Sequence, residues 1–237
     1  MRKYSALGVV ALMFSGQLEA MGLRSFVALP VAKNSSVLRF LYSGSLDGGS
    51  ETLFTSAAYG ISGKQTLLLG VPYQLSNNTA NKFGDVTVFL RQSLWQQNSA
   101  DSSNRLALLA GLVLPTNSNR DVGAQAGFVY THFKNRHEID TDIIYQKGLG
   151  QRLDSARFDF SWQYRINPKI LPDWGIGDEI YTVLEFNQRW QQGNKSLKQI
   201  TAGLTWVKPR WVIEGGLTRD LNQLAQTQLI ISTRIHF

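Results

Sequence analysis

Apolar and polar residues alternate along much of the chain, most clearly between residues 155 and 168. Every second residue from Phe158 to Ile166 is apolar, and arginine, aspartate, serine or glutamine occupies the positions between them. A period of two is typical of a β-strand whose two faces meet different surroundings. Large side chains in such close succession would interdigitate poorly in a core, so the pattern favours an outer face that contacts lipid.

The last nine residues, LIISTRIHF, continue this pattern up to Phe237. Apolar residues occupy positions 229, 231, 235 and 237, whereas Ser232, Arg234 and His236 lie between them. A terminal strand frays unless it is paired. We therefore expect the last strand to pair with the first and close a barrel.

Segments rich in turn-forming residues divide the chain into about twelve strands. The separators are residues 47–49, 62–64, 76–82, 98–104, 117–120, 134–136, 148–154, 167–177, 192–195, 208–210 and 221–226. Bacterial single-chain barrels have an even number of antiparallel strands. The sequence therefore predicts an all-β fold, a transmembrane antiparallel up-and-down β-barrel of about 12 strands.

The beginning of the chain resembles an export signal. Arg2 and Lys3 precede an apolar stretch, and Leu18-Glu19-Ala20 ends in the small residue that signal peptidase requires. We expect a signal peptide over 1–20, a periplasmic lead-in over 21–35 and the barrel over 36–237. The lead-in could also form an extra strand or enter the lumen. The sequence contains no cysteine, so disulfides play no part.

The charge of the chain does not point to nucleic acid. Removing Arg2, Lys3 and Glu19 leaves 22 Lys and Arg against 16 Asp and Glu. Most of this positive surplus falls in turn lysines, which suit solvent or the phosphates of lipopolysaccharide. No apolar run after residue 20 is long enough for a membrane helix, so a membrane form must be a closed barrel.

Charged residues at alternate strand positions predict a charged lumen. The basic members are Arg39, Arg91, Arg157, Arg165, Arg189 and Arg234, and the acidic members are Glu138, Asp140, Asp142, Asp159, Glu185 and Glu214. Equal numbers of both signs favour ion pairs that brace the wall and narrow the channel, although the same residues could contact solutes. A twelve-stranded barrel lies between filled and water-filled types, so we expect a narrow or partly plugged pore.

Outward-facing aromatic residues are predicted to form two girdles at the edges of the membrane. If both termini are periplasmic, one girdle lies outside and contains Tyr42, Tyr73, Tyr145 and Trp190. The periplasmic girdle contains Tyr164, Trp206, Trp211 and Phe237. Trp95 and Phe133 do not fit this scheme, because alternation places them in the lumen.

The sequence predicts no catalytic residue, no metal and no cofactor. Glu138, Asp140 and Asp142 form an acidic row that could bind Ca²⁺, but arginines such as Arg157 and Arg165 on the neighbouring strand are the more natural partners. The three histidines, at 132, 137 and 236, have no suitably placed serine for a lipid-modifying enzyme. We therefore expect a protein that is not an enzyme.

Four short stretches resemble an outer-membrane barrel family named for the meta-pathway of phenol degradation. They are Ala58-Tyr59-Gly60-Ile61-Ser62, Leu67–Tyr73, Gly84-Asp85-Val86 and Leu112–Thr116. The resemblance spans about residues 50–237 and implies a barrel of roughly twelve strands that takes up small, in some cases aromatic, compounds. The terminal Phe237 also resembles the signal that outer-membrane barrels present to the barrel assembly machinery.

These observations favour a Gram-negative outer-membrane protein that forms a narrow, porin-like channel or transporter for small solutes. Its expected partners are outer-membrane lipid, lipopolysaccharide, the barrel assembly machinery and the solutes, with no nucleic acid. The alternatives are a structural or surface barrel without transport, a lipid-modifying outer-membrane enzyme, and a soluble exported barrel or sandwich.

Overall fold

The computed structural model describes residues 22–76, 82–170, 178–222 and 226–237. The predicted signal peptide, residues 1–20, lies outside this range. Twelve strands follow one another: β1 Ser36–Ser45, β2 Glu51–Ser62, β3 Gln65–Gln74, β4 Val86–Asn98, β5 Ser102–Leu114, β6 Gly123–Lys134, β7 His137–Gly148, β8 Ser155–Asn167, β9 Glu179–Gln191, β10 Leu197–Val207, β11 Trp211–Asp220 and β12 Thr227–His236. Each strand pairs antiparallel with its sequence neighbours, and β1 pairs with β12 to close the barrel. No helix of the described part is long and apolar enough to cross a membrane.

The barrel closes where the start of β1 meets the residue that follows β12. The amide of Ser36 donates to the carbonyl of Phe237 at 3.1 Å, and the amide of Phe237 donates back to Ser36 at 2.9 Å. Further along the seam, Tyr42 of β1 lies opposite Ile231 of β12. The predicted all-β barrel of twelve antiparallel strands is confirmed, including its closure by the last strand.

The two ends of the barrel differ in their connections. The terminal end holds the start of β1, the end of β12 and the turns at 63–64, 99–101, 135–136 and 208–210, together with the connection from β8 to β9. The opposite end holds the remaining loops, including 115–122 and 149–154. Every predicted separator overlaps one of these connections, because turn residues interrupt the alternation wherever the chain reverses. Parts of the separators 76–82, 167–177 and 221–226 lie outside the described residues, and 98–104 also covers the ends of β4 and β5.

Alternate residues of each strand point into and out of the barrel. The outward side chains are mostly apolar, whereas many inward ones are charged and buried. Trp95 departs from the prediction: a β-bulge between Ser93 and Trp95 shifts the register, and Trp95 pairs with Leu106 on the outer face. With 45% of its surface exposed, Trp95 faces outward rather than into the lumen, because the bulge adds one residue to the alternation.

Most of the segment that precedes β1 lies inside the barrel. We call residues 22–31 the inner segment. Its amides donate to side chains of the inner wall: Phe26 to Asp142 at 2.8 Å, Ala28 to Thr131 at 2.9 Å, and Val31 to Thr66 at 2.9 Å. The expected periplasmic lead-in is therefore corrected over residues 22–31, where the luminal alternative holds, whereas residues 32–34 are exposed at the terminal end. Polar groups of the wall supply the acceptors that this backbone requires once it leaves water.

The interior has an apolar half and a charged half. The apolar half joins Ala28 of the inner segment to inward residues of β3 to β7, namely Leu68, Phe89, Ala107, Leu109, Val129 and Ile144. The charged half consists mainly of the inner faces of β7 to β12, where carboxylates and guanidinium groups are buried together. The inner segment runs between the two halves.

Candidate functional site

The barrel interior contains an ion-pair cluster centred on Asp159. Arg157 contacts one carboxylate oxygen of Asp159 at 2.6 Å, and Arg189 contacts the other at 2.6 Å. Arg157 also lies 3.1 Å from Asp142. Asn187 adds a 2.8 Å hydrogen bond to Asp159, so this fully buried carboxylate is well satisfied.

A second cluster surrounds Glu214 on β11. Its carboxylate accepts Arg39 of β1 at 2.8 Å and is also paired with Arg234 of β12. Arg39 reaches further, donating to Ser232 at 2.9 Å and to the carbonyl of Leu23 at 2.6 Å. These contacts join three neighbouring strands to the inner segment.

Glu185 of β9 binds the beginning of the inner segment. Its carboxylate accepts the amide of Arg24 at 3.0 Å and the hydroxyl of Ser25 at 3.2 Å. The guanidinium of Arg24 donates to Gln199 at 2.6 Å. Glycines of the wall allow a close approach here, since a Cβ on Gly203 would lie 2.7 Å from Leu23.

The acidic row of β7 is divided among different partners. Asp140 accepts Thr131 at 2.6 Å and Gln163 at 2.9 Å, and Asp142 pairs with Arg157. Arg165 lies 3.7 Å from Glu179, a residue that the sequence analysis did not single out. Glu138 is buried in the same wall, and no group of three potential ligands in the described ranges could hold a metal.

All twelve charged residues that alternation places in the lumen do face the interior in the structure. Sequence reasoning missed Arg24, Arg105 and Glu179. Arg105 has the same parity as buried Ala107 and Leu109, so a longer alternation window would have found it. Arg24 had no such signal, because the inner segment is not a strand.

A cavity of about 940 Å³ lies between the inner segment and the wall formed by β1 to β5. It extends from Ser36 and Phe237 at the terminal end to Gln125 and Arg189 further along the bore. A second cavity of about 220 Å³ shares Gln125, Arg157 and Arg189 with the first and continues to Trp190. The two arginines bound to Asp159 therefore line both cavities.

The loops of the opposite end are tied together by Asp85. This carboxylate, before β4, pairs with Arg152 of the β7–β8 loop and, at 2.8 Å, with Arg120 of the β5–β6 loop. Burial alone would raise the pKa of Asp85. The hydrogen bonds from Arg152, the Thr116 amide and Arg120 outweigh it and hold the pKa below its usual value.

The predicted aromatic residues occupy outward positions near the strand ends. Trp206 and Trp211 meet at the terminal end with ring centroids 5.0 Å apart, and the ammonium of Lys208 lies 4.8 Å from the Trp206 ring. Tyr164 and Phe237 share that end, whereas Tyr42, Tyr73, Tyr145 and Trp190 lie near the opposite end. Their role as girdles stays a prediction.

The histidines lie in three separate surroundings. His132 contacts Asn104 at 2.7 Å, and His137 stacks on Trp162 with ring centroids 6.0 Å apart. His236 lines the large cavity near the terminal end. No two of them share a contact among these interactions.

The sequence matches no protein-family model and no curated protein sequence. Its fold matches solved outer-membrane barrels. The KdgM porin is 10% identical with a TM-score of 0.55, and the match covers 85% of this chain and 99% of that one. The COG4313 outer membrane channel from Pseudomonas putida F1 is 16% identical with a TM-score of 0.53, over 90% and 98% of the two chains. A KdgM porin in complex with disordered oligogalacturonate is 10% identical with a TM-score of 0.52, over 86% and 99%. These likenesses establish the fold of an outer-membrane barrel.

Proposed function

We propose that the protein is a narrow channel for small solutes across the bacterial outer membrane. The observation that carries this proposal is the 940 Å³ cavity that runs beside the inner segment, from the terminal end of the barrel to Arg189. A barrel that served only as a structural or surface element would gain nothing from leaving this space unfilled. The porin and channel that share the fold support the same reading.

The path is narrowest, on this proposal, where the two cavities share Arg157 and Arg189. Asp159 holds both guanidinium groups at 2.6 Å, so these long side chains are fixed rather than free to swing aside. The inner segment narrows the path from the other side, held by Glu185 and Asp142. Small solutes would pass beside this segment, whereas larger ones would need it to move.

The solute class follows from the lining. One side of the cavity carries Phe26, Phe54, Leu68 and Phe89, which suits aromatic or other hydrophobic compounds. The resemblance to the phenol meta-pathway family agrees with such compounds, and membership of that family is part of this proposal. Oligogalacturonate in the KdgM porin complex shows only that another barrel of this fold accepts an organic solute.

The setting we propose is the outer membrane of a Gram-negative bacterium, reached through a cleaved signal peptide over 1–20. The outward apolar faces would contact lipid, and the two sets of outward aromatic residues would lie at its interfaces. Lipopolysaccharide and the barrel assembly machinery would then be partners of the outer wall and of the strand ending at Phe237.

Conductance of the purified protein in planar bilayers tests the proposal. We expect small single-channel steps, and the variant Arg189→Gln should raise the step size because a shorter side chain widens the shared region. Gln188→Ala, on the outer face one residue away, is the matched control and should leave the step unchanged. Absence of any conductance, together with absence of solute entry in liposome swelling, would overturn the channel assignment.

A further inference from the structure

The interior contains charges of both signs, but they are separated in space. Eight arginines line the large cavity, whereas no aspartate or glutamate of the described residues does. The carboxylates of Asp159 and Glu214 are buried behind the arginines that they pair with. A solute in the cavity therefore meets guanidinium groups before it meets any carboxylate.

Arg91 is a deeply buried member of this set that no carboxylate of the described residues neutralises. Only 2% of it is exposed, and its Nη1 donates to the carbonyl of Val27 at 2.8 Å. It forms no ion pair with a carboxylate of the described chain, and its buried Nε has no acceptor there. A guanidinium carries five N–H donors, so Arg91 retains donors for a ligand anion. Arg105 of the adjacent strand lines the same cavity.

Apolar side chains surround Arg91 on the cavity wall. Phe89 precedes it on the same face of β4 and lies opposite Leu68 of β3. The Phe89 ring meets the Phe26 ring of the inner segment edge-on, with centroids 6.1 Å apart. The cavity therefore places an apolar wall beside the positive charge of Arg91.

We propose that this cavity binds monovalent organic anions that have an apolar body, namely carboxylates carrying an aromatic ring or a short acyl chain. Arg91 takes the carboxylate, and Phe26, Leu68 and Phe89 pack against the body. This inference rests on the proposed channel and names its solute class. An inorganic anion would leave the apolar wall unused, and a neutral solute would leave Arg91 uncompensated. The cavity volume lies within the roughly 300–1,000 Å³ of small-molecule sites.

Binding of benzoate and of its neutral isostere benzamide to the purified full chain in detergent, measured by calorimetry, tests this site. We expect benzoate to bind at least about tenfold more tightly than benzamide. Arg91→Gln should remove that preference and leave benzamide unaffected. Arg219→Gln, which removes an outward arginine of β11, is the control and should retain it.

Two further binding measurements test the site even if Arg91→Gln does not fold. In the unaltered protein, hexanoate should bind more tightly than acetate, because its longer chain reaches the apolar wall. Oleate supplied in vesicles should displace benzoate only if a lipid carboxylate can also enter the site. Equal affinity for benzoate and benzamide, or for hexanoate and acetate, would overturn the inference. Binding without conductance would overturn the channel alone, and conductance without this preference would overturn the anion site alone.

Discussion

Arg39 of β1 and Glu214 of β11 form a 2.8 Å ion pair that reaches across β12, the strand that closes the barrel. Arg234 of β12 binds the same carboxylate from between them. The three residues link the last two strands to the first at one depth inside the wall. The barrel is therefore closed by side-chain ion pairs as well as by the backbone hydrogen bonds between β1 and β12.

Replacing Glu214 by glutamine should destabilise the barrel strongly. Buried Arg234 and half-buried Arg39 would lose their shared counter-charge, and removing one side of a buried pair costs about 3–5 kcal/mol. Urea unfolding in lipid vesicles, followed by tryptophan fluorescence, measures the change. Glu51→Gln changes an exposed acid whose side chain accepts a hydrogen bond from Tyr42, and should cost less than about 0.5 kcal/mol. An equal loss in the free energy of unfolding for the two substitutions would show that the ion pairs of Glu214 do not stabilise the closed barrel.

The loop contacts of Asp85 should be lost in acid. The pKa of Asp85 is below its usual value in the folded protein, so its ion pairs stabilise the fold at pH above about 4. This stabilisation is lost as the pH falls through the pKa of the folded state. A spin label at Asn119→Cys, in the loop held by Arg120, should become more mobile as the pH falls through the lowered pKa of Asp85. With Asp85→Asn added, the label should be mobile at every pH. Asp47→Asn, in the β1–β2 turn, should not alter the pH dependence of label mobility. Label mobility that does not change with pH when Asp85 is present would show that Asp85 does not hold these loops together.

The contact between Trp206 and Trp211 predicts that the terminal end is sensitive to aromatic deletion. Trp211→Ala removes an edge-to-face ring pair and a lysine contact, with an expected loss of about 1–2 kcal/mol in the free energy of unfolding. Trp95→Ala is the matched control, because Trp95 also faces outward but has no ring partner among the described residues. Its loss should be smaller by about 1 kcal/mol. The same cost at both positions would mean that the ring pair adds nothing.

The strands and the facing of most residues were predictable from the sequence, because a period of two persists wherever a strand has one apolar face. The inward position of Asp159 and Glu214 follows from this rule alone. Trp95 did not follow it, because a bulge adds one residue without leaving a mark in the pattern. A second irregularity lies between Arg165 and Asn167, beside the contact of Arg165 with Glu179.

The inner segment could not have been placed from the sequence. Its backbone amides are satisfied by side chains such as Asp142, which is 116 residues away in sequence, and no local pattern encodes such a contact. The sequence also could not predict that arginines line the cavity while carboxylates lie behind them, because this arrangement too depends on contacts between residues that are far apart in the chain. Alternation predicts which residues face inward, whereas the cavity wall depends on how each pair is arranged inside the barrel.

Two neighbouring residues of β2 can test both the inward and outward orientation of strand residues and the path through the bore. Ser56 lines the cavity, and Thr55 beside it points outward, opposite Phe40 of β1. The natural chain contains no cysteine, so a single introduced thiol is unambiguous. An anionic methanethiosulfonate reagent that cannot cross lipid reports whether each position is reached by water.

The decisive measurement is therefore the conductance of bilayer-inserted Ser56→Cys and Thr55→Cys proteins before and after this reagent. We expect Ser56→Cys to be modified and its conductance to fall by at least about half, because a charged adduct fills part of the cavity. Thr55→Cys should remain unmodified and unchanged. Modification of Thr55→Cys at the same rate, or an unaltered conductance of fully modified Ser56→Cys, would contradict this expectation.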